Sequence, residues 1–306
     1  MTDKVLRINA ISKKYKKNQS PANQDISLVL CGGDLTALIG HNGAGKTTLL
    51  NQIIGNVKPD SGDIRYENHS LVNNTRLARN IVSMMPQFHA PLAGVTVRQS
   101  IECALSIRGE DRRTVRKSAD MIMETLDILQ WENKAGEHLS GGLLRLTSFA
   151  MAVAKPAEIV LLDEPTNDVD PVRKKKVWKY MKDLSRKGHI VLVVTHNLLE
   201  VEQYADRYIL LDGGRVVKDE RIVYDGNKEH VLSIILNDHK NRDSLLRKLD
   251  LSFKEQDLQF YTLLKPEQIP DVIEKVIGMV KSGCISNYRL TPASLEMTYG
   301  GMIGAN

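Results

Sequence analysis

The chain has 306 residues, and at roughly 150 residues per domain that length suits about two domains. Its 42 basic and 37 acidic residues leave a net charge of +5, far from the concentrated basic excess of a nucleic-acid binder. An apolar content of 42% with 26% charged residues is that of a globular chain and excludes extensive disorder. Cys31, Cys103 and Cys284 are widely spaced and odd in number, so they form neither a disulfide framework nor a metal-ligand spacing, as suits a reducing cytosol. From Met1 to Lys17 there is no apolar run of signal-peptide length. The longest apolar stretches, Ile159 to Leu162 and Ile190 to Val194, fall far short of the ~20 residues that span a bilayer. We therefore expect a soluble chain whose membrane role, if it has one, passes through a partner.

In chain order, Leu35 to Ile39 reads as a buried strand, Gly40 to Gly45 as a glycine-rich loop and Lys46 to Ile54 as a helix. Ile159 to Leu162 and Ile190 to Val194 are short continuous apolar runs of the kind buried on both faces of a parallel sheet. Pro171 to Lys187, between them, has helical length and composition. Strand, helix, strand in that order implies parallel crossover units and an α/β core. Asp206 to Val217 reads as a hairpin turning at Asp212-Gly213-Gly214. A turn cluster within Tyr224 to Lys228 marks a boundary, giving domains of 1–225 and 226–306. The second is expected as a small α+β domain. Its strands would lie at Val231 to Leu236, Leu258 to Leu264 and Ile285 to Leu290. Helices are expected around Asp243 to Leu249, from Pro266 to Val280 and after Pro292. No internal repeat is present.

Gly40-His41-Asn42-Gly43-Ala44-Gly45-Lys46-Thr47 fits the pattern Gly-x-x-x-x-Gly-Lys followed by Ser or Thr, placed between a strand and a helix. Such glycines let successive backbone N–H groups turn inward and cradle phosphate oxygens at a helix N-terminus. Lys46 would reach the β- and γ-phosphates of ATP and the Thr47 hydroxyl would ligate magnesium. Asn42, Gly43, Ala44, Gly45, Lys46, Thr47 and Thr48 are the nucleotide contacts expected here. The strand Ile159 to Leu162 runs into adjacent carboxylates. Asp163 would lie near the magnesium, and Glu164 would polarise an attacking water as general base. Leu139-Ser140-Gly141-Gly142 precedes a helical stretch. It reads either as a loop and N-cap or as a second phosphate seat at a helix start.

With these three motifs in this order, residues from about 4 to 222 resemble the ATPase subunit of an ABC transporter, and Leu139 to Gly142 matches that family's signature motif. The resemblance implies a P-loop NTPase cassette with a helical signature subdomain, Mg-dependent ATP hydrolysis and a location at the cytoplasmic face of the membrane. It also implies roles for further residues. Gln87 resembles the glutamine that contacts magnesium and senses the membrane partner, and Tyr15 the ring that stacks on adenine. Asp170 resembles the D-loop aspartate and His196 the switch histidine on the γ-phosphate. Catalysis would then rest on Lys46, Gln87, Glu164 and His196, and magnesium on Thr47, Gln87 and Asp163. Each site would be completed by Ser140, Gly141 and Gly142 of a second subunit, giving a homodimer or a pairing with a related subunit. The sequence departs from the family pattern at Leu143-Leu144-Arg145, where glutamine usually follows the signature, and at Asp168-Val169 in the D-loop.

The stretch from Phe88 to Gly109, with Val95 to Arg98, resembles the segment that grips a coupling helix of a separate transmembrane permease subunit. Pro292 to Glu296 followed by Tyr299 is similar in part to a tail of bacterial drug- and antibiotic-export ATPases, and reads equally as an amphipathic terminal helix. The basic run Arg173 to Lys176 is expected as the solvated face of a helix, with a lipid-headgroup contact as the second reading. Two functions are open: the ATPase subunit of an exporter, and a soluble ABC ATPase of repair, translation or assembly.

Overall fold

The computed structural model describes residues 4–16, 20–87, 93–222, 229–237, 249–256 and 259–292. The chain divides into two compact units between Ile222 and Val223, three residues before the boundary read from the sequence. The turn cluster that suggested that boundary lies outside the described residues.

Three buried runs make the centre of the first unit. Strands β3 (Leu35–Ile39), β7 (Ile159–Asp163) and β8 (Ile190–Val194) are buried along their whole length. They are central in a six-stranded sheet of order β10-β9-β3-β8-β7-β6, completed by β6 (Val82–Met85), β9 (Arg207–Asp212) and β10 (Arg215–Arg221). Neighbours pair in parallel except the β9–β10 hairpin, which turns through Gly213 and Gly214 as read from the sequence. Their C-terminal ends therefore open on one side of the sheet, where ligands bind in open α/β folds.

A second, antiparallel sheet has the order β2-β1-β4-β5, from β1 (Val5–Lys13), β2 (Asn23–Cys31), β4 (Ser61–Tyr66) and β5 (His69–Ser70). Its strands alternate. Leu6 and Ile8 of β1, and Ile26, Leu28 and Leu30 of β2, point inward. They share one core with Leu49, Leu50 and Ile53 of helix α1 (Lys46–Ile53) and with Leu38, Leu161 and Leu192 of the large sheet. This packing holds α1 and the loop before it against both sheets.

Helices α2 (Thr75–Ile81), α3 (Val97–Ile107), α4 (Val115–Leu126) and α5 (Gly141–Val153) lie between β5 and β7, with β6 following α2. Thr96 caps α3 in a capping box with Gln99. Arg98 turns inward to Glu132, to Asp120 at 2.6 Å and to Glu102 at 3.3 Å. Helix α6 (Pro171–Arg186) corrects part of one expectation, because within its basic run Lys175 is exposed but the other three cations are half-buried against neighbours. Arg173 pairs with Asp127 and stacks 4.8 Å from the Trp131 ring, Lys174 meets Glu200, and Lys176 approaches Asp127 at 3.9 Å. Paired cations of this kind tie α6 to its neighbours. Helix α7 (Leu198–Tyr204) follows β8.

The second unit holds an antiparallel sheet of order β12-β13-β11-β14. Its strands are β11 (His230–Leu236), β12 (Lys254–Gln256), β13 (Gln259–Leu264) and β14 (Ile285–Pro292). Val272, Val276 and Met279 of helix α8 (Ile269–Lys281) pack on Leu232, Ile234 and Phe260. A short 3-10 turn, Pro266–Gln268, precedes α8 where the sequence suggested one continuous helix. Pro270 sits in the first turn of α8, where its missing N–H is no loss. The helix expected at Asp243 to Leu249 falls outside the described residues up to 248, as do Leu258 and the tail from Ala293 to Tyr299.

Candidate functional site

After β3 ends at Ile39, the chain turns through Gly40 to Gly45 into α1. Gly45 has φ 101°, and a Cβ there would overlap the Ala22 carbonyl oxygen and crowd the Asn23 amide. Glycine is therefore required by both conformation and space. Asn23 Nδ2 fastens the turn by donating to the Gly45 carbonyl at 3.1 Å. As N-cap, Gly45 brings no side chain to the first-turn amides of α1, and no acidic residue lies in that turn. The positive end of this helix is left open to an anion. His41 Nε2 lies 2.7 Å from Asp212 Oδ1, which ties the loop to the end of β9.

Lys46 is buried and donates from Nζ to the carbonyls of Gly40 at 2.6 Å and His41 at 2.9 Å. Burial pushes its ammonium below the usual lysine value, while the charges of Glu164 and Asp163 oppose that shift. Asp163, the last residue of β7, accepts from the Thr47 hydroxyl at 3.2 Å. Burial pushes its carboxyl above the usual range. The Thr47 hydrogen bond opposes the shift and the charge of Glu164 adds to it. Glu164 has φ 53°, a left-handed conformation held by its N–H bonding to the Val194 carbonyl at 2.9 Å. Its Oε1 is 2.9 Å from His196 Nδ1, and its Oε2 is buried without a protein partner.

These groups line one cleft of about 390 Å³. The loop and α1 contribute Asn42, Gly43, Gly45, Lys46, Thr47 and Thr48. Gln87, just past β6, and Asp163 and Glu164 at the end of β7 face them, with Ala22 and Val194 beside. His196 reaches the cleft through Glu164. Tyr15 is exposed, with its hydroxyl 3.4 Å from Thr48 Oγ1.

Other expected contacts stand elsewhere. Ala44 is fully buried and does not line the cleft; its N–H bonds to the His41 carbonyl, so it shapes the loop from inside. Ser140 caps α5 through the Leu143 N–H, and neither it nor Gly141 and Gly142 lines this cleft. Gly142 packs against the Asp168 carbonyl, where a Cβ would overlap it. Asp168 itself has φ 60°, a conformation Asp tolerates better than most residues, and this accommodates the departure at that position. Asp170, expected among the nucleotide contacts, also lies off the cleft. Its carboxylate caps α6 through the N–H groups of Val172 and Arg173 and bonds the Arg173 guanidinium at 3.0 Å.

The sequence reading missed two supporting residues. Glu200 of α7 accepts from Thr166 at 2.7 Å, Trp178 at 2.7 Å, Lys174 at 3.0 Å and Asn197 at 2.7 Å. It thereby ties the segment after Glu164 to the segment after His196. Its signal was legible: Asn197 and Glu200 have the spacing of a helix N-cap and its third residue. Arg145 was read only as part of the departure at Leu143-Leu144-Arg145, with no role of its own.

Three oxygen donors, the Thr47 hydroxyl, the Asp163 carboxylate and the Gln87 amide, belong to this cleft. That set fits magnesium, which takes one or two carboxylates and completes its shell with water and phosphate oxygens. Among the described residues no cluster of three His, Cys, Asp or Glu could hold a metal by itself.

The sequence profile of the ABC transporter family matches residues 23–167. The daunorubicin resistance ATP-binding protein DrrA3 of Streptomyces coeruleorubidus is 30% identical over 219 residues, 72% of this chain and 69% of that one. The Nod factor export ATP-binding protein I of Rhizobium meliloti is 29% identical over 292 residues, 90% of this chain and 83% of its own. The ABC-type organic anion transporter ABCA8B of Mus musculus is 34% identical over 215 residues, and the chain spans only 13% of its length. In fold, a dimeric bacterial ABC transporter cassette superposes with a TM-score of 0.66 at 24% identity, covering 72% of this chain and all of that one.

Proposed function

The chain belongs to the ABC transporter family, and from that premise we propose that it is the ATP-binding and ATP-hydrolysing subunit that powers an exporter through a separate membrane-spanning subunit. One observation carries the hydrolytic part: Lys46, Asp163 and Glu164 share a cleft, and Glu164 keeps one carboxylate oxygen buried and unpartnered beside its contact with His196. The export part is supported by the relatives named for Nod factor export and daunorubicin resistance.

In this reading, the open end of α1 and the Lys46 ammonium receive the β- and γ-phosphates. Tyr15 offers its ring to adenine. Thr47, Gln87 and Asp163 hold magnesium, which when bound neutralises phosphate charge. A water oxygen forms a bond to the γ-phosphorus as the bond to the ADP oxygen breaks, and Glu164 takes the water proton. His196 orients Glu164 through Oε1 and contacts the γ-phosphate. Rate acceleration comes from positioning and charge rather than covalent chemistry. Ser140, Gly141 and Gly142 face the γ-phosphate of a second subunit, so ATP closes a dimer and hydrolysis releases it. Residues 226–306 assist that pairing, and the Gln87 region carries the signal to the permease at the cytoplasmic face of the membrane.

The test is to tag the subunit, solubilise membranes gently and identify what co-purifies in stoichiometric amount. A polytopic membrane protein is the expected result. A soluble partner with no membrane protein retained would overturn the transport reading in favour of a soluble ABC ATPase.

A further inference from the structure

Arg145 is a buried cation to which the mechanism above gives no role. It lies on α5, little more than one turn beyond the Ser140 cap, and is 4% exposed. Its Nη1 donates to the main-chain carbonyl of Gln87 at 2.9 Å, while its Nε–H is buried with no partner. A buried guanidinium with an unmatched donor works against the stability of a fold, and such groups call for a functional explanation. The contact is also an unusual one. It joins the helix that starts at the signature residues to a residue that lines the cleft together with Lys46 and Asp163.

We propose that Arg145 is a positioning residue for ATP hydrolysis, fixing the main chain at Gln87 so that the tilt of α5 sets where the Gln87 amide stands in the cleft. This rests on the ATPase reading above. Movement of Ser140-Gly141-Gly142 toward a partner's nucleotide is then passed along α5 to Gln87 of the same subunit. Arginine suits the task because its planar guanidinium holds a fixed donor direction from within an apolar environment. Lysine in its place keeps the charge but loses the fixed direction.

The test is a double-mutant cycle on the full chain, with Arg145→Lys, Gln87→Ala and the pair, read by turnover and by binding of a fluorescent ATP analogue. Loss of one positioned hydrogen bond predicts a kcat about tenfold lower for Arg145→Lys, with KM and analogue affinity within about threefold of the parent. In the Gln87→Ala background the same change should cost less than about twofold, since no amide is left to misplace. Arg145→Gln, which keeps a planar donor but not the charge, should retain more turnover than Arg145→Met. If Arg145→Met fails to fold, Arg145→Gln against Arg145→Lys carries the comparison, with Arg145→Gln expected to be no slower.

Unchanged kcat in Arg145→Lys overturns the proposal. So does a tenfold loss that multiplies with Gln87→Ala, or a loss that appears in KM and affinity rather than in kcat. Absence of turnover in the parent chain would instead overturn the ATPase reading on which the proposal rests.

Discussion

Replacing Glu200 by Gln tests whether the segments bearing Glu164 and His196 are held from behind. One carboxylate oxygen accepts from Thr166 Oγ1 and Trp178 Nε1, the other from Lys174 Nζ and Asn197 Nδ2. A glutamine amide supplies one such oxygen and puts an NH₂ group in the other position. Turned toward Lys174 and Asn197, that group faces two donors. Turned the other way, it faces a hydroxyl that can rotate and an indole N–H that cannot. The better orientation therefore still leaves the Trp178 N–H buried and unmatched, at about 1–3 kcal/mol, and weakens the hydrogen bonds that relied on the charge, each worth about 1.5–3 kcal/mol. A total near 3 kcal/mol lowers the unfolding midpoint of a unit this size by roughly 6–12 °C. Trp131 and Trp178 are the only tryptophans and both lie in the first unit, so tryptophan fluorescence follows its unfolding alone. Turnover should fall as well, because Thr166 and Asn197 flank the proposed catalytic pair. A midpoint shifted by less than about 2 °C with normal turnover would refute the reasoning.

Three further outcomes are expected. Lys46→Ala should lose most ATP affinity in a direct binding titration; retained tight binding would remove the loop as the phosphate seat. Glu164→Gln should bind ATP, stop turnover and trap a dimer detectable by size-exclusion chromatography, whereas an active variant would exclude Glu164 as the base. Burial, aided by the charges of Glu158 and Glu67, pushes the Tyr66 phenol up to about 12 from 10.0. Its neutral form thus stabilises the fold fully below pH 10, and that contribution is lost as pH rises through about 12. The midpoint of Tyr66→Phe should accordingly fall less steeply than that of the parent across this range, and equal slopes in the two chains would contradict the assignment.

What the sequence disclosed is what is encoded locally. Leu35 to Ile39, Ile159 to Leu162 and Ile190 to Val194 each read as buried strands because both faces are covered, and each leads directly into a motif at its C-terminal end. The glycine loop was legible for the same reason: its spacing is a property of consecutive residues. The antiparallel sheet of β1, β2, β4 and β5 was not foreseen, although Leu6, Ile8, Ile26, Leu28 and Leu30 follow the two-residue alternation of half-buried strands. The bonds that support the cleft are long-range and escaped notice. Arg145 meets a carbonyl 58 residues away and Glu200 a hydroxyl 34 residues away. Neither partner can be chosen from spacing alone. Asp170 is the opposite case. Its local duty as a helix cap accounts for its carboxylate in this chain.

The two carboxylates at the end of β7 show how backbone and chemistry are joined. In an extended strand, Asp163 and Glu164 would point to opposite faces, and only one could enter the cleft. The left-handed φ of 53° at Glu164 breaks that alternation, so both residues line the same space. A non-glycine residue in this region costs about 1–3 kcal/mol, and the conformation persists only where its surroundings enforce it. Here the Glu164 N–H to Val194 carbonyl bond and the Glu164–His196 contact supply the enforcement, both from the neighbouring strand β8 and the residues just beyond it. Glycine at 164 would relieve the backbone but remove the carboxylate that the strain serves to aim. Behind the pair, Glu200 fastens the residues that follow each partner. The strain at Glu164 and the four hydrogen bonds of Glu200 are thus two parts of one arrangement, in which a costly backbone turn is held by Val194 and His196 while α7 fastens the segments that follow the pair.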